Sequence, residues 1–490
     1  MVNHGSRILR GRIWRSALGL LLVTCIGGGA AAAPMAPDAL RHAKIEWGSC
    51  PVMPPPGTRC GTLNVPEDWG QAATSRRIEL PFMVIGSKDA NRRPDPVVFL
   101  TGGPGVTAFY VLPLFGDAPF VEHRDVIVME PRGFGYAKPA LSCSGGTQGL
   151  AACERAFRQA GIDPDQYRTE SLSHDLEALR IALAIEEWNL YAVSYGTYWA
   201  LHHVRQYPGA VRSMILDSPY PPQASYEWTR PSALNAFDRV FDACRADPGC
   251  NADFPDLRHR FVDALRRAEL SKIHVGTQTL GGGELFHALY GHVYASPSLA
   301  QVPRLIDAAA RGDFETVFAA VPSYGAAPEG LDPSRIMASG LNASVECADD
   351  IFQPATADTR VAYLRPWPAD IVSLIQPEGW NYDGICAAWK VPRSADVLGL
   401  AVHSAIPTLI LVGAFDPITP PEFGEAAALT LSHSTLLVDP AAAHAVVTTR
   451  HACVWQAVRD VLSDPATEID LSCVGAIPPV RWQPRAARAN

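Results

Sequence analysis

Tyr191-Ala192-Val193-Ser194-Tyr195-Gly196-Thr197 decides how the rest of the chain is read. Upstream, Asn189 to Val193 is apolar enough for a buried strand. Downstream, Gly196 to Gln206 reads as a helix that stops before Pro208. A serine at a tight strand-to-helix turn is pushed out at the end of its sheet, and the crowded turn needs small residues two before and two after it. Here these are Ala192 and Gly196; the first position more often carries glycine.

The same pattern spreads outward from this turn. Val97-Val98-Phe99-Leu100 and Val126-Ile127-Val128-Met129 are short, wholly apolar runs closely followed by Gly or Pro, as in strands buried on both faces of a parallel sheet. Arg77 to Val84 alternates like a strand. Leucines at 172, 176, 179 and 183 recur at helical spacing, and Val211 to Leu216 is a further strand. This βαβ rhythm predicts an α/β fold with a mostly parallel central sheet. It lapses between about Tyr220 and Leu400, where helical patterns alternate with Pro/Gly-rich loops such as Pro322 to Ser334. It resumes with Pro407 to Val412, a helix near Glu422 to Thr430 and a strand at Thr435 to Val438. The expected organisation is a leader over 1–33, the first part of the core over 34–220, a large helical lid over 221–400 and the second part of the core over 401–490.

The leader carries Arg7, Arg10, Arg12 and Arg15, then an apolar run from Ala17 to Ile26, then small residues ending before Pro34. That order is the order of a secretory signal, with cleavage expected near Ala33. About ten apolar residues are too few for a membrane span. Lipidation at Cys25 is the alternative, with Thr24 an unusual residue before such a cysteine. Export implies a secreted or cell-envelope protein with no stable membrane insertion. The chain has 490 residues, 48% of them hydrophobic and 19% charged, which excludes a disordered or collagen-like class. The net charge is −9, and loss of the four leader arginines makes it more acidic still, which argues against a nucleic-acid partner. Ten cysteines remain beyond the leader. Neighbours in sequence suggest Cys50–Cys60, Cys143–Cys153, Cys244–Cys250 and Cys453–Cys473, leaving Cys347 with Cys386. Sequence alone does not settle connectivity. Disulfides suit an exported chain better than zinc, for which no C-x-x-C pair is present, and no metal or other cofactor is implied.

A serine nucleophile needs a base and an acid, and in this topology they follow in the order Ser, Asp, His. Asp416 comes just after the strand ending at Val412, in Val-Gly-Ala-Phe-Asp-Pro. It is the candidate acid, against a turn-forming Asp before Pro417 and against Asp217 as a rival. His444 lies among small residues 28 positions on and is the candidate base. His451 is placed at the start of the last helix, and His202-His203 point in different directions from the helix after the serine. Backbone donors for a developing oxyanion are expected from Tyr195 and from Gly103 in the turn Thr101-Gly102-Gly103-Pro104-Gly105. That turn lacks the lysine and the spacing of a phosphate-binding loop.

Together these segments resemble the prolyl and tripeptidyl aminopeptidase family of α/β-hydrolases, most of all its secreted tripeptidyl branch. Leu100 to Gly105 is similar to the family's HGGPG turn with Thr101 for histidine, and Glu130 to Gly135 to its D-x-R-G-x-G segment with Glu130 for aspartate. Val193 to Thr197 is similar to its serine elbow with Ala192 for glycine. Gly413 to Pro421 is similar to its acid motif, and Cys453 and Cys473 to the two late cysteines of the secreted branch. The likeness covers residues 45–220 and 400–475, and in the lid only Cys347-Ala348-Asp349. It implies a secreted serine exopeptidase that removes short peptides or single residues from free N-termini through an acyl-enzyme. A lid carboxylate, Glu346 or Asp349, is expected to bind the substrate amine; the bland reading is an exposed acidic turn with Asp350. Arg132 is expected to brace its turn through a carboxylate pair, and Glu130 to meet a buried donor. The competing readings are a carboxylesterase acting on small esters or lactones, and a non-catalytic binding protein on a hydrolase scaffold.

Overall fold

A computed structural model describes residue 35 and residues 37–224, 229–276, 278–319, 330–349, 367–375, 382–394 and 399–485. The expected leader with Cys25, and Asp350 of the acidic turn, lie outside the described residues. Nine strands form one sheet: β1 (Lys44–Gly48), β2 (Thr58–Pro66), β3 (Arg77–Ile85), β4 (Val97–Leu100), β5 (Val126–Met129), β6 (Trp188–Val193), β7 (Val211–Asp217), β10 (Thr408–Gly413) and β11 (Ser434–Asp439). A small hairpin of β8 (Ile273–Val275) and β9 (Gln278–Leu280) stands apart and has no counterpart in the sequence reading. The sheet order is β1-β2-β3-β5-β4-β6-β7-β10-β11. β1 to β3 and the β3·β5 pair are antiparallel, and every pair from β5 to β11 is parallel.

The wholly apolar runs lie at the centre: β4, β5 and β10 are buried at every position, because helices cover both faces. On one face pack α2 (Thr169–Ala182) and α3 (Tyr195–Gln206). On the other packs α10 (Ala452–Ser463), whose Val454, Ala457, Val458 and Val461 meet Leu409 and Leu411. Helix α3 is buried at every residue but Arg205, so it brings Ser194 to the middle of the sheet's carboxyl edge rather than to a flank.

Between β7 and β10 the chain leaves the sheet and builds a second apolar cluster of its own. Its helices include α4 (Thr229–Ala246), α5 (Leu257–Ser271), α6 (Gly282–Tyr294) and α7 (Val302–Ala310), whereas α8 (Ser339–Ala348), from the same stretch, packs Leu341, Ala343 and Val345 into the sheet's cluster. Phe237, Phe241, Phe261 and Phe286 make its centre; Phe237 and Phe261 have ring centroids 4.6 Å apart. Five disulfides join Cys50–Cys60, Cys143–Cys153, Cys244–Cys250, Cys347–Cys386 and Cys453–Cys473, the four pairs suggested by proximity in sequence and the one pair left over. No helix among the described residues is long and apolar enough to cross a membrane.

Candidate active site

Ser194 is the residue between β6 and α3, with φ 57° and ψ −127°, a conformation that L-residues adopt only when their surroundings force it. Three contacts fix it. Its N–H donates to Asp217 O at 3.0 Å, Thr197 N–H donates to its carbonyl at 2.8 Å, and the Thr197 hydroxyl donates to the same oxygen at 2.6 Å. Gly196 is required by space: a Cβ there would lie 2.2 Å from Leu100 O and 2.8 Å from Thr101 O. The glycine turn after β4 presses on the serine from above, since a Cβ on Gly102 would meet Ser194 Cβ at 3.0 Å. Gly103, at φ 116°, follows in the same turn, while Tyr195 opens α3.

Asp416 and His444 come together although 28 residues separate them. His444 Nδ1 is 2.8 Å from Asp416 Oδ2, and both side chains are buried. With Nδ1–H donating to the carboxylate, Nε2 is the nitrogen left to accept a proton. Asp416 also accepts from Ile418 N–H at 3.0 Å, Thr419 N–H at 2.9 Å and the Thr419 hydroxyl at 2.8 Å. Burial alone would raise this carboxyl. The histidine beside it and the backbone N–H groups reverse that and hold it below the ordinary carboxylate range, so it stays ionised. A turn-forming role and an acid role are thus the same set of bonds. The Thr419 hydroxyl also lies 3.1 Å from His444 Nδ1, a contact the sequence reading missed.

Asp217, the rival acid, serves a different purpose. Its carboxylate accepts from Val446 N–H at 2.6 Å and Val447 N–H at 3.0 Å, just beyond His444. Burial pushes it up to about 6. Through its carbonyl it holds Ser194, and through its side chain it holds the histidine loop. Next to it the Ser218 hydroxyl accepts from Ala445 N–H at 2.9 Å. Ser194, Ser218 and Ala445 all have positive φ, so strained backbone is concentrated at this junction. His451 bonds to Asp439 at 2.5 Å instead of Asp416. His203 is fully buried on α3, where burial pushes its ring down to about 3 and keeps it neutral.

Glu130 and Arg132 brace the scaffold. Glu130 accepts from the Thr107 hydroxyl, Ala108 N–H and Tyr136 N–H at 2.8–2.9 Å, tying together the loops after β4 and β5; burial raises it to about 7. Arg132 forks onto Asp175 with two bonds of 2.7 Å and donates to Glu67 O, Gln166 O and Pro66 O, so a fully buried cation is saturated.

The two lid acids part company. Asp349 is fully used: Oδ2 accepts from Thr169 N–H at 3.1 Å and Oδ1 from the Ser394 hydroxyl at 3.0 Å. Thr169 Oγ1 in turn bonds Tyr195 Oη at 2.6 Å, which links Asp349 to the residue after the serine. Glu346 is different. It is buried, Oε1 accepts from Asn342 at 2.9 Å, and Oε2 has no partner among the described residues. Asn342 also donates to Pro104 O at 3.2 Å, which places this carboxylate against the glycine turn. Neither acid belongs to an exposed turn.

Two family profiles match the chain: alpha/beta hydrolase fold over residues 95–312 and TAP-like protein over residues 376–473. Serine protease Hip1 of Mycobacterium tuberculosis is 27% identical, over 90% of this chain and 93% of that protein. Carboxylesterase B of the same species is 24% identical, over 83% and 84%. Tripeptidyl aminopeptidase of Streptomyces lividans is 26% identical over a shorter stretch, 38% and 40%. With a serine elbow, a mostly parallel sheet and these two profiles in one chain, the protein has the α/β-hydrolase fold and is similar in sequence to serine peptidases of that fold.

Proposed function

We propose that the protein is a secreted serine exopeptidase that releases short peptides or single residues from free N-termini. Ser194 Oγ attacks the scissile carbonyl while His444 Nε2 takes its proton, and Asp416 holds the imidazole in that tautomer and stabilises the imidazolium. Gly103 and Tyr195 N–H groups receive the developing oxyanion. The leaving amine takes the proton back from His444, and water then releases the acyl group by the same steps. The 221–400 segment acts as a lid over the site. Five disulfides and the basic, apolar, small-residue leader support an oxidising, extracytoplasmic compartment.

The observation that carries the exopeptidase reading is the free oxygen of Glu346. A buried carboxylate with one unpartnered oxygen beside the glycine turn is a costly arrangement unless a cation completes it, and a substrate α-ammonium is such a cation. Asp349, with both oxygens engaged, is assigned to support rather than to amine binding.

The test compares the enzyme with Ser194→Ala on a free-amine tripeptide amide, its N-acetylated twin and a short-chain ester. Cleavage of the free-amine peptide alone, absent in the variant, is expected. Ester turnover without amide cleavage would move the assignment to a carboxylesterase, the activity named for one relative. Silence of the wild type on all three would favour a binding protein on a hydrolase scaffold.

A further inference from the structure

The histidine loop does not rest on the sheet alone. On one side, Ala445 and Val446 are bonded to Ser218 and Asp217 at the end of β7. On the other side the loop is bonded to the segment between β7 and β10: His444 N–H donates to Tyr294 O at 3.2 Å, and Ala443 N–H donates to Ser296 Oγ at 2.8 Å. The side chains follow suit. The Tyr294 and His444 rings have centroids 4.6 Å apart at an interplanar angle of 43°. Phe286, Tyr290 and Tyr294 fall four residues apart on α6, with ring centroids 6.1 Å between successive members. An aromatic row thus runs from the phenylalanine cluster of the lid to the imidazole. Phe415 and Ala443, the residues just before the acid and the base, also belong to the lid's apolar cluster and not to the sheet's.

We propose that Tyr294 is a positioning residue for His444, holding the imidazole in register with Asp416 and favouring its protonated form in the transition state through the face of its ring. The proposal rests on the reading of Ser194, His444 and Asp416 as the catalytic set. A cation within about 6 Å of an aromatic centroid is attracted to the ring face. The ring therefore works in the same direction as the carboxylate while adding no charge. Among the described residues the titratable groups that face the imidazole are Asp416 from the loop after β10, Asp217 from the end of β7 and Tyr294 from α6. Of these, Tyr294 is the one from the lid. Motion of α6 therefore reaches the imidazole through Tyr294, beside the backbone support that Ser296 gives the same loop.

A fluorophosphonate probe tests this without knowledge of the substrate, because its reaction needs an activated serine. The full-length enzyme, Tyr294→Phe and Tyr294→Leu are labelled across a pH series, and the modified residue is identified by mass spectrometry. In the Leu variant the acid limb of the inactivation rate should move down by about half a pH unit, and the plateau rate should fall a few-fold. The Phe variant, which keeps the ring, should match the wild type. Pentafluorophenylalanine at position 294 keeps the shape and reverses the charge of the ring face; it should act like Leu, which covers the case of a poorly folding Leu variant. Label on Ser194 with an unchanged limb and plateau in the Leu and fluorinated proteins overturns the role of Tyr294 alone. Label on another residue overturns the catalytic reading together with it.

Discussion

Replacing Glu346 by glutamine should make the protein more stable while weakening its hold on free-amine substrates. Burial raises this carboxyl from 4.5 to about 8, and the bond from Asn342 offsets only part of that. The folded chain therefore keeps a proton that the unfolded chain has already lost. A raised carboxyl lowers stability as pH climbs from the unfolded to the folded value: the penalty is near zero below pH 4.5, roughly 3 kcal/mol at pH 7, and levels off above pH 8. Glutamine keeps the oxygen that accepts from Asn342 and cannot ionise, so it escapes this penalty. Local rearrangement around the side chain absorbs part of it, and a net gain of about 1–2 kcal/mol at pH 7.5 would raise Tm by roughly 2–4 °C. Thermal melts of both proteins from pH 4.5 to 8.5 check this. The curves should meet at the acid end and separate as pH rises. A glutamine variant that melts lower at pH 7.5, or a gap that does not widen with pH, would refute the reasoning. Kinetics on the free-amine peptide complete the test: KM should rise, while the rate at which a fluorophosphonate labels Ser194 is unchanged. Stability gained where binding is lost is the signature of a group kept for its ligand.

Asp217→Ala removes the acceptor of two buried N–H groups and should cost about 2–5 kcal/mol, with kcat falling more than KM because the histidine loop loosens while the Asp217 carbonyl still holds Ser194. Denaturant melts and steady-state kinetics on the same preparation read both effects, and Asp217→Asn, which restores one acceptor, should recover part of each. Gly196→Ala sets a Cβ against backbone that cannot withdraw, so it should abolish soluble expression where Gly209→Ala, with open space around it, is tolerated.

The fold was largely legible because its centre is extreme in composition. The runs at 97–100 and 126–129 contain nothing but apolar residues, and only a strand covered on both faces calls for that. The helix after Ser194 and the strands around it fall within a residue or two of their expected bounds. The site was legible where a residue type has few uses, as with the serine in its tight turn. It was not legible where the decisive bond runs from a side chain to a distant backbone. Asp217 looks like a second acid in sequence, and only the approach of Val446 and Val447 reveals its use. Thr419 lay in plain view in the acid motif, but a threonine after Asp-Pro-Ile reads as a turn residue until its hydroxyl is seen between the acid and the base. Tyr294 gave no signal at all, since aromatic residues four apart on a helix describe core packing equally well. The β8–β9 hairpin was missed because three residues per strand are too few to show a period.

The long excursion between β7 and β10 begins and ends on strands that pair with each other, Met214 opposite Thr408 through Asp217 opposite Leu411. Its disulfides, Cys244–Cys250 and Cys347–Cys386, are both internal to it. Among the described residues no covalent staple and no strand pairing of the main sheet depends on what lies between the two anchor points, so helices α4 to α7, which pack in their own cluster, can be exchanged as a cassette, while Leu341, Val345 and Trp389 stay as part of the sheet's core. The same cassette, however, carries Tyr294 and Ser296, which hold the outer side of the loop that bears His444. A chimera with a foreign cassette would thus arrive folded and idle, and its activity would return only when the new segment learned to hold the histidine loop.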